Sequence, residues 1–170
     1  QAEKTKAIIA ALGTATPPAA GGIYVEVGPM AAEKGKAEPI ELMKSLMRST
    51  VQSVLKSRGK DFQQTWITGK TPTKAQLDAK GVKGFQVDGT VNEVSVKTKG
   101  SSATVSCKVS MLIATYPPPS IFAVLSGSAA VQGSNDPEDI ELAKRDCVAA
   151  VVEDLVASKV IGAVKTKAAQ

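Results

Sequence analysis

Histidine is absent from all 170 residues, aromatics make up only 4%, and there are two cysteines and a single tryptophan. Each shortage narrows what the chain does. Without histidine the commonest general acid or base is gone, and so is a frequent companion of cysteine in zinc sites. The two thiols, Cys107 and Cys147, lack metal-site spacing. Ser106, Ser110, Ser126 and Ser128 sit in no GxSxG or SxxK context. Acidic groups are scattered, and Asp88 facing Lys108 across a hairpin is expected as a surface cross-strand pair, not as a general base. The chain therefore reads as a non-enzyme, with no catalytic, cofactor-binding or metal-binding residue to name.

Long apolar runs are also missing, so no membrane span is expected. The formal net charge is +5. The lysines are dispersed over strand ends, helix faces and both termini, without an arginine-rich stripe or interleaved aromatics. That pattern is a solvated surface and gives no basis for nucleic-acid binding. Length and mixed composition suit one globular domain with its own core.

What is present centres on residues 84–132, which read as three consecutive antiparallel strands. In the first, Phe85, Val87, Gly89 and Val91 alternate with polar residues, and then Val94 and Val96 change parity. A bulge near Asn92-Glu93 would keep both halves facing one core. Gly100 suits the hairpin turn. The second strand has the clearest period of two: Ala103, Val105, Cys107, Val109, Met111 and Ile113 on one face, polar residues on most of the other. Tyr116 and three prolines stop it, because proline has no N–H for the ladder. The third resumes at Ile121. The proline turn is expected to be a stiff connection.

Before the meander, residues 1–22 read as a helical lead-in and a Pro/Ala/Gly linker. The start at Gln1 rather than methionine suggests a processed or excised chain. IYVEVGPM is a strand. The polar loop at 31–38 lacks a phosphate-loop pattern and is expected as a plain connection. Ile40, Met43, Met47, Val51, Val54 and Leu55 recur at helical spacing up to Gly59. FQQTWI at 62–67 is a short strand, and TKAQLDAK at 73–80 a short helix. After the meander, Asn135-Asp136-Pro137-Glu138 is a helix start with cap, proline and acidic first turn. That helix reaches about Val160 and extends toward Val164, leaving 165–170 as a frayed tail. Cys107 and Cys147 both fall on inward faces. Buried free thiols are the ordinary outcome there, with a disulfide between helix and sheet as the alternative in an oxidising compartment.

The order β-α-β-α-β-β-β-α predicts an α+β fold over residues 23–164: one mixed sheet of about five strands with helices mainly on one face. Tyr24-Val25-Glu26-Val27 as first strand, residues 42–56 as first helix, and VDGTVNEV at 87–94 together make the chain resemble bacterial envelope accessory domains of the LpoB type (penicillin-binding-protein activators) and the CsgG type (curli secretion lipoproteins). The resemblance implies a periplasmic or outer-membrane-associated domain that binds other envelope proteins and has no catalytic residues. It departs from that family in lacking a lipidated cysteine at the start and in ending its first strand Val27-Gly28-Pro29-Met30. The candidate interaction surface is Trp66, Tyr116, Pro118 and Ile121, although Trp66 also suits the core. A C-terminal module of a helical-repeat scaffold, or a small-ligand domain using the 31–38 loop, are the alternatives. Oligomeric state is left open.

Overall fold

The computed structural model describes residues 22–170, so the lead-in and linker expected over 1–22 lie almost wholly outside the described residues. Five strands form one mixed sheet in the order β2-β1-β3-β4-β5. The strands are β1 (Ile23–Ala32), β2 (Phe62–Gln63), β3 (Lys83–Lys99), β4 (Ser102–Tyr116) and β5 (Ser120–Ser134). β1 lies parallel to both β2 and β3, and the β3-β4-β5 meander is antiparallel. The helices are α1 (Ile40–Arg58), α2 (Lys74–Ala79), α3 (Pro137–Leu155) and α4 (Ile161–Ala168), with a π-helical turn at Val156–Val160 joining the last two.

The odd-numbered face of the meander builds the main core. Val87, Val109, Met111 and Ile113 pack with Met43, Met47, Val51 and Leu55 of α1 and with Val148, Val152 and Leu155 of α3, all essentially solvent-free. The parity change in β3 is resolved as expected: the register slips between Val91 and Glu93, leaving Asn92 as the extra residue. Gly89, in the middle of VDGTVNEV, leaves room for a helix. A Cβ there would lie 2.5 Å from Met47 Sδ and 3.1 Å from Met30 Sδ. The methionines of α1 are core filler.

Two of the helices begin with the caps that their residues provide. Asp136 accepts from the Glu138 N–H with Pro137 in the first turn, and Thr73 forms a capping box with Gln76 ahead of α2. Pro39 is the N-cap of α1, so the helix starts one residue later, at Ile40.

Several expectations are revised. β2 ends at Gln63 instead of running to Ile67, because the chain turns out of the sheet and carries Trp66 to the opposite face. Asp88 sits across from Leu112 and accepts from Gln86 Nε2 at 2.9 Å, and the ion pair of Lys108 is with Glu93, at 3.5 Å. The register settles this: Asp88 pairs four residues away from Lys108, and the bulge at Asn92 then brings Glu93 opposite Lys108. The stretch expected as a frayed tail is helical to Ala168: Val164 is buried, Lys167 Nζ stands 5.6 Å from the centre of the Phe122 ring, and Lys83 Nζ donates to the Ala168 carbonyl. Cys107 on β4 and Cys147 on α3 are joined as a disulfide with a Cα–Cα distance of 6.2 Å, in place of free thiols. Both are fully buried.

Candidate interaction surfaces

The second face of the sheet is only partly covered. At its lower end Tyr24, Gly84 and Tyr116 lie side by side on β1, β3 and β4. Gly84 is required there: a Cβ would lie 2.5 Å from the Tyr116 carbonyl oxygen and 2.8 Å from Leu77 Cδ1. Leu77 of α2 therefore settles between the two tyrosines. Trp66 and Val82 complete this second cluster, with Trp66 edge-on to Tyr24 at 6.0 Å between ring centres.

The four residues suggested as an interaction surface are thus separated. Trp66 is 3% exposed and is a core residue. Tyr116 is half-buried at the edge of the same cluster. Pro118 and Ile121 lie outside it, around the turn between β4 and β5, with Ile121 61% exposed.

The Glu26 carboxylate accepts from the Tyr24 hydroxyl. Burial first, and then the Glu26 carboxylate, hold the Tyr24 phenol well above its ordinary value; the same two causes raise Tyr116. The folded state keeps the Tyr24 proton longer than the unfolded chain does. This contribution to stability is therefore whole below the unfolded tyrosine pKa of about 10 and lost as pH rises above it. Unfolding free energy is expected to fall above that pH with a component of about 1.4 kcal/mol per pH unit from Tyr24. Tyr24→Phe should remove that component in alkaline denaturation curves. An unchanged slope would show that the phenol is not held protonated.

On the β1 side lies a cleft that no sequence motif announced. β2 pairs only with Ile23 and Tyr24, so residues 25–32 of β1 have no strand on that side among the described residues. Arg48 reaches across from α1, with Nη1 donating to the Val27 carbonyl at 3.2 Å and Nη2 to the Gly28 carbonyl at 2.8 Å. Beside it is an open cleft of about 720 Å³, walled by Glu26, Gln52, Lys56, Lys60 and Gln63. Three cations face one carboxylate, and that carboxylate is already engaged by Tyr24. The available signal was Arg48 itself: it is one of three arginines in a lysine-rich chain, and arginine is the residue suited to gripping paired oxygens.

At the other edge, β5 runs fifteen residues with its outer side unpaired among the described residues. Val124 on β5 is 68% exposed, and Leu142 on α3, the helix packed over β4 and β5, is 57% exposed. The 31–38 loop has no free amides for an anion at its best position, since Glu38 accepts from the Gly35 and Ile40 N–H groups at 3.2 and 3.3 Å. Among the described residues no three or more His, Cys, Asp or Glu side chains cluster as metal ligands, and no helix is long and apolar enough to cross a membrane.

These features define an α+β domain whose single sheet is helix-covered on one face and largely open on the other, with two unequal edges. The chain matches no family model and no curated protein. Solved structures share its fold nearly end to end. A DUF330 protein from Xanthomonas campestris aligns with a TM-score of 0.56 over 89% of this chain and 91% of its own, at 11% identity. A hypothetical protein from Chlamydia trachomatis gives 0.55 over 85% and 98%, at 13% identity. A proposed neuraminyllactose-binding hemagglutinin homolog from Helicobacter pylori gives 0.51 over 91% and 92%, at 12% identity. At these identities the likeness is one of fold, and the fold is one that bacterial proteins use.

Proposed function

We propose that the chain is a non-catalytic accessory or scaffold domain of a bacterial cell envelope, and that it holds an extended acidic segment of another envelope protein along the free edge of β1. The observation that carries this reading is that edge. It has no neighbouring strand over residues 25–32 among the described residues, only the Arg48 guanidinium on the Val27 and Gly28 carbonyls, and it lies beside a cleft whose walls hold Arg48, Lys56 and Lys60. An incoming strand gains backbone hydrogen bonds from the edge, and the cations select an acidic one.

The compartment is supported by the buried cystine, because structural disulfides belong to oxidising compartments such as the periplasm. The finer likeness to LpoB-type and CsgG-type proteins, read from β1, α1 and VDGTVNEV, belongs to the same proposal. The small-ligand alternative loses support where Glu38 occupies the loop amides.

A photo-crosslinking residue placed at Gln52 or Gln63 in living cells tests the reading, with Lys97 at the exposed far end of β3 as the control position. Envelope proteins should be captured from the cleft positions alone. Lys56→Glu with Lys60→Glu should cut that capture roughly tenfold by turning the cleft against an acidic segment. Equal capture from position 97, or capture of cytosolic proteins, would overturn the reading.

A further inference from the structure

Exposed edge strands invite pairing with other chains, and proteins usually guard them with charge, proline, short length or a covering element. The two edges of this sheet differ in that respect. The β2 side carries charge that limits which strand can pair there: the edge strand is two residues long, and the Arg48 guanidinium holds the Val27 and Gly28 carbonyls of the strand behind it, with Lys56 and Lys60 beside it. The β5 side carries none. SIFAVLSGSAAVQGS contains no charged residue and no proline over fifteen residues. Its inward residues Ala123, Leu125, Ala129 and Val131 touch the main core but remain only partly buried. An apolar layer therefore continues to the edge and stops there.

The same strand is complementary to itself. Consider two copies of β5 running antiparallel about a two-fold axis at Gly127. Each residue then meets the one equally far on the other side of the glycine. Leu125 meets Ala129, Ala123 meets Val131, Val124 meets Ala130, and Ser126 meets Ser128. Every pair matches a larger side chain to a smaller one, or serine to serine. Each pair also lies on a single face of the sheet. Leu125 and Ala129 stand opposite Met111 and Cys107 on the core side, whereas Val124 and Ala130 stand opposite Leu112 and Ser106 on the open side. No like charges meet.

We infer that β5 is the self-association edge of this protein, and that a second copy pairs with it antiparallel about Gly127 to make a continuous ten-stranded sheet from two five-stranded ones. The occupant is a second copy because an uncharged edge offers nothing to select a charged partner, and because the size match recurs at each pair around one centre. This inference does not depend on what binds at β1, which is at the opposite edge of the sheet.

The test is sedimentation or light scattering over about 1 to 100 µM at about 0.15 M salt, where the +5 charge of each copy is largely screened. The wild-type chain should reach twice its monomer mass in that range. Ser126 and Ser128 are both exposed and so are replaceable without entering the core. Ser126→Lys with Ser128→Lys places like charges directly opposite each other at the two-fold, and should weaken the dimer at least tenfold. Ser126→Lys with Ser128→Glu has the same number of new charges but pairs opposite signs across the same axis, and should restore it. Thermal melts of both variants establish that each monomer is folded. A wild-type chain that stays monomeric, a dimer indifferent to the lysine pair, or a lysine–glutamate variant as weak as the lysine pair would each overturn the inference.

Discussion

Cys107→Ala with Cys147→Ala is expected to lower the unfolding free energy by about 4 kcal/mol, the loop-closure value for the 40-residue separation of the two cysteines. In a chain of this size that corresponds to a melting temperature lower by about 8 to 16 °C. The bond ties β4, the middle strand of the meander, to the helix that lies over it, so removing it frees α3 from the sheet in the unfolded chain. Wild-type protein unfolded in denaturant, reduced, and refolded in excess reductant should come close to the double variant. The measurement is the denaturation midpoint of oxidised, reduced and substituted protein. Identical midpoints would mean that the bond contributes nothing to stability. Because both sulfurs are fully buried, the folded protein should also resist reduction until it opens.

The second large effect is expected at Phe85. It is 2% exposed in β3, and its ring stands edge-on to Phe122 of β5 at 5.9 Å between centres. β4 lies between those two strands, so the aromatic pair spans it on the core face. Phe85→Ala removes a ring that the surrounding core cannot collapse onto, at a cost of about 3 to 5 kcal/mol. Phe122→Ala should cost less, because Phe122 is only partly buried. A double-mutant cycle should show a coupling of about 0.5 to 1.5 kcal/mol between the rings. A loss below about 1 kcal/mol for Phe85→Ala would show that the lower core relaxes around the missing ring.

The strands of the meander, their bulge, and the caps of α1 and α3 were legible because each is written in local sequence: alternation, a parity change, and Asp-Pro-Glu or Gly at helix ends. The five-stranded mixed sheet follows from them. The misread elements are those decided from a distance. FQQTWI has the composition of a six-residue strand, yet only two residues pair. Tyr24, forty-two positions earlier, offers its ring to Trp66 on the other face, and burying the indole there outweighs continuing the ladder. The β1 cleft was unreadable for the same reason. It arises from what β2 fails to cover, and from an arginine twenty residues along the chain from the carbonyls that it holds. Lys108 took Glu93 instead of Asp88 because the hairpin register sets Asp88 opposite Leu112, and the one-residue bulge then puts Glu93 where Asn92 would have stood. The β5 edge was visible as uncharged sequence, but its status as an edge emerges only from the strand order.

The π-helical turn at Val156–Val160 decides how one buried stripe runs through two helices. Val148, Val152, Val156, Val160 and Val164 recur every fourth residue and are all buried. On an ideal helix of 3.6 residues per turn that spacing drifts steadily sideways, and the last members would swing toward water. One wide turn, closed by the Ile161 N–H bonding back to the Val156 carbonyl, takes up the drift. The wide turn holds one residue more than an α-helical turn would, at a single place. The register on either side is therefore set by its own contacts: α3 by its cysteine, α4 by its lysines over Phe122 and Asp61.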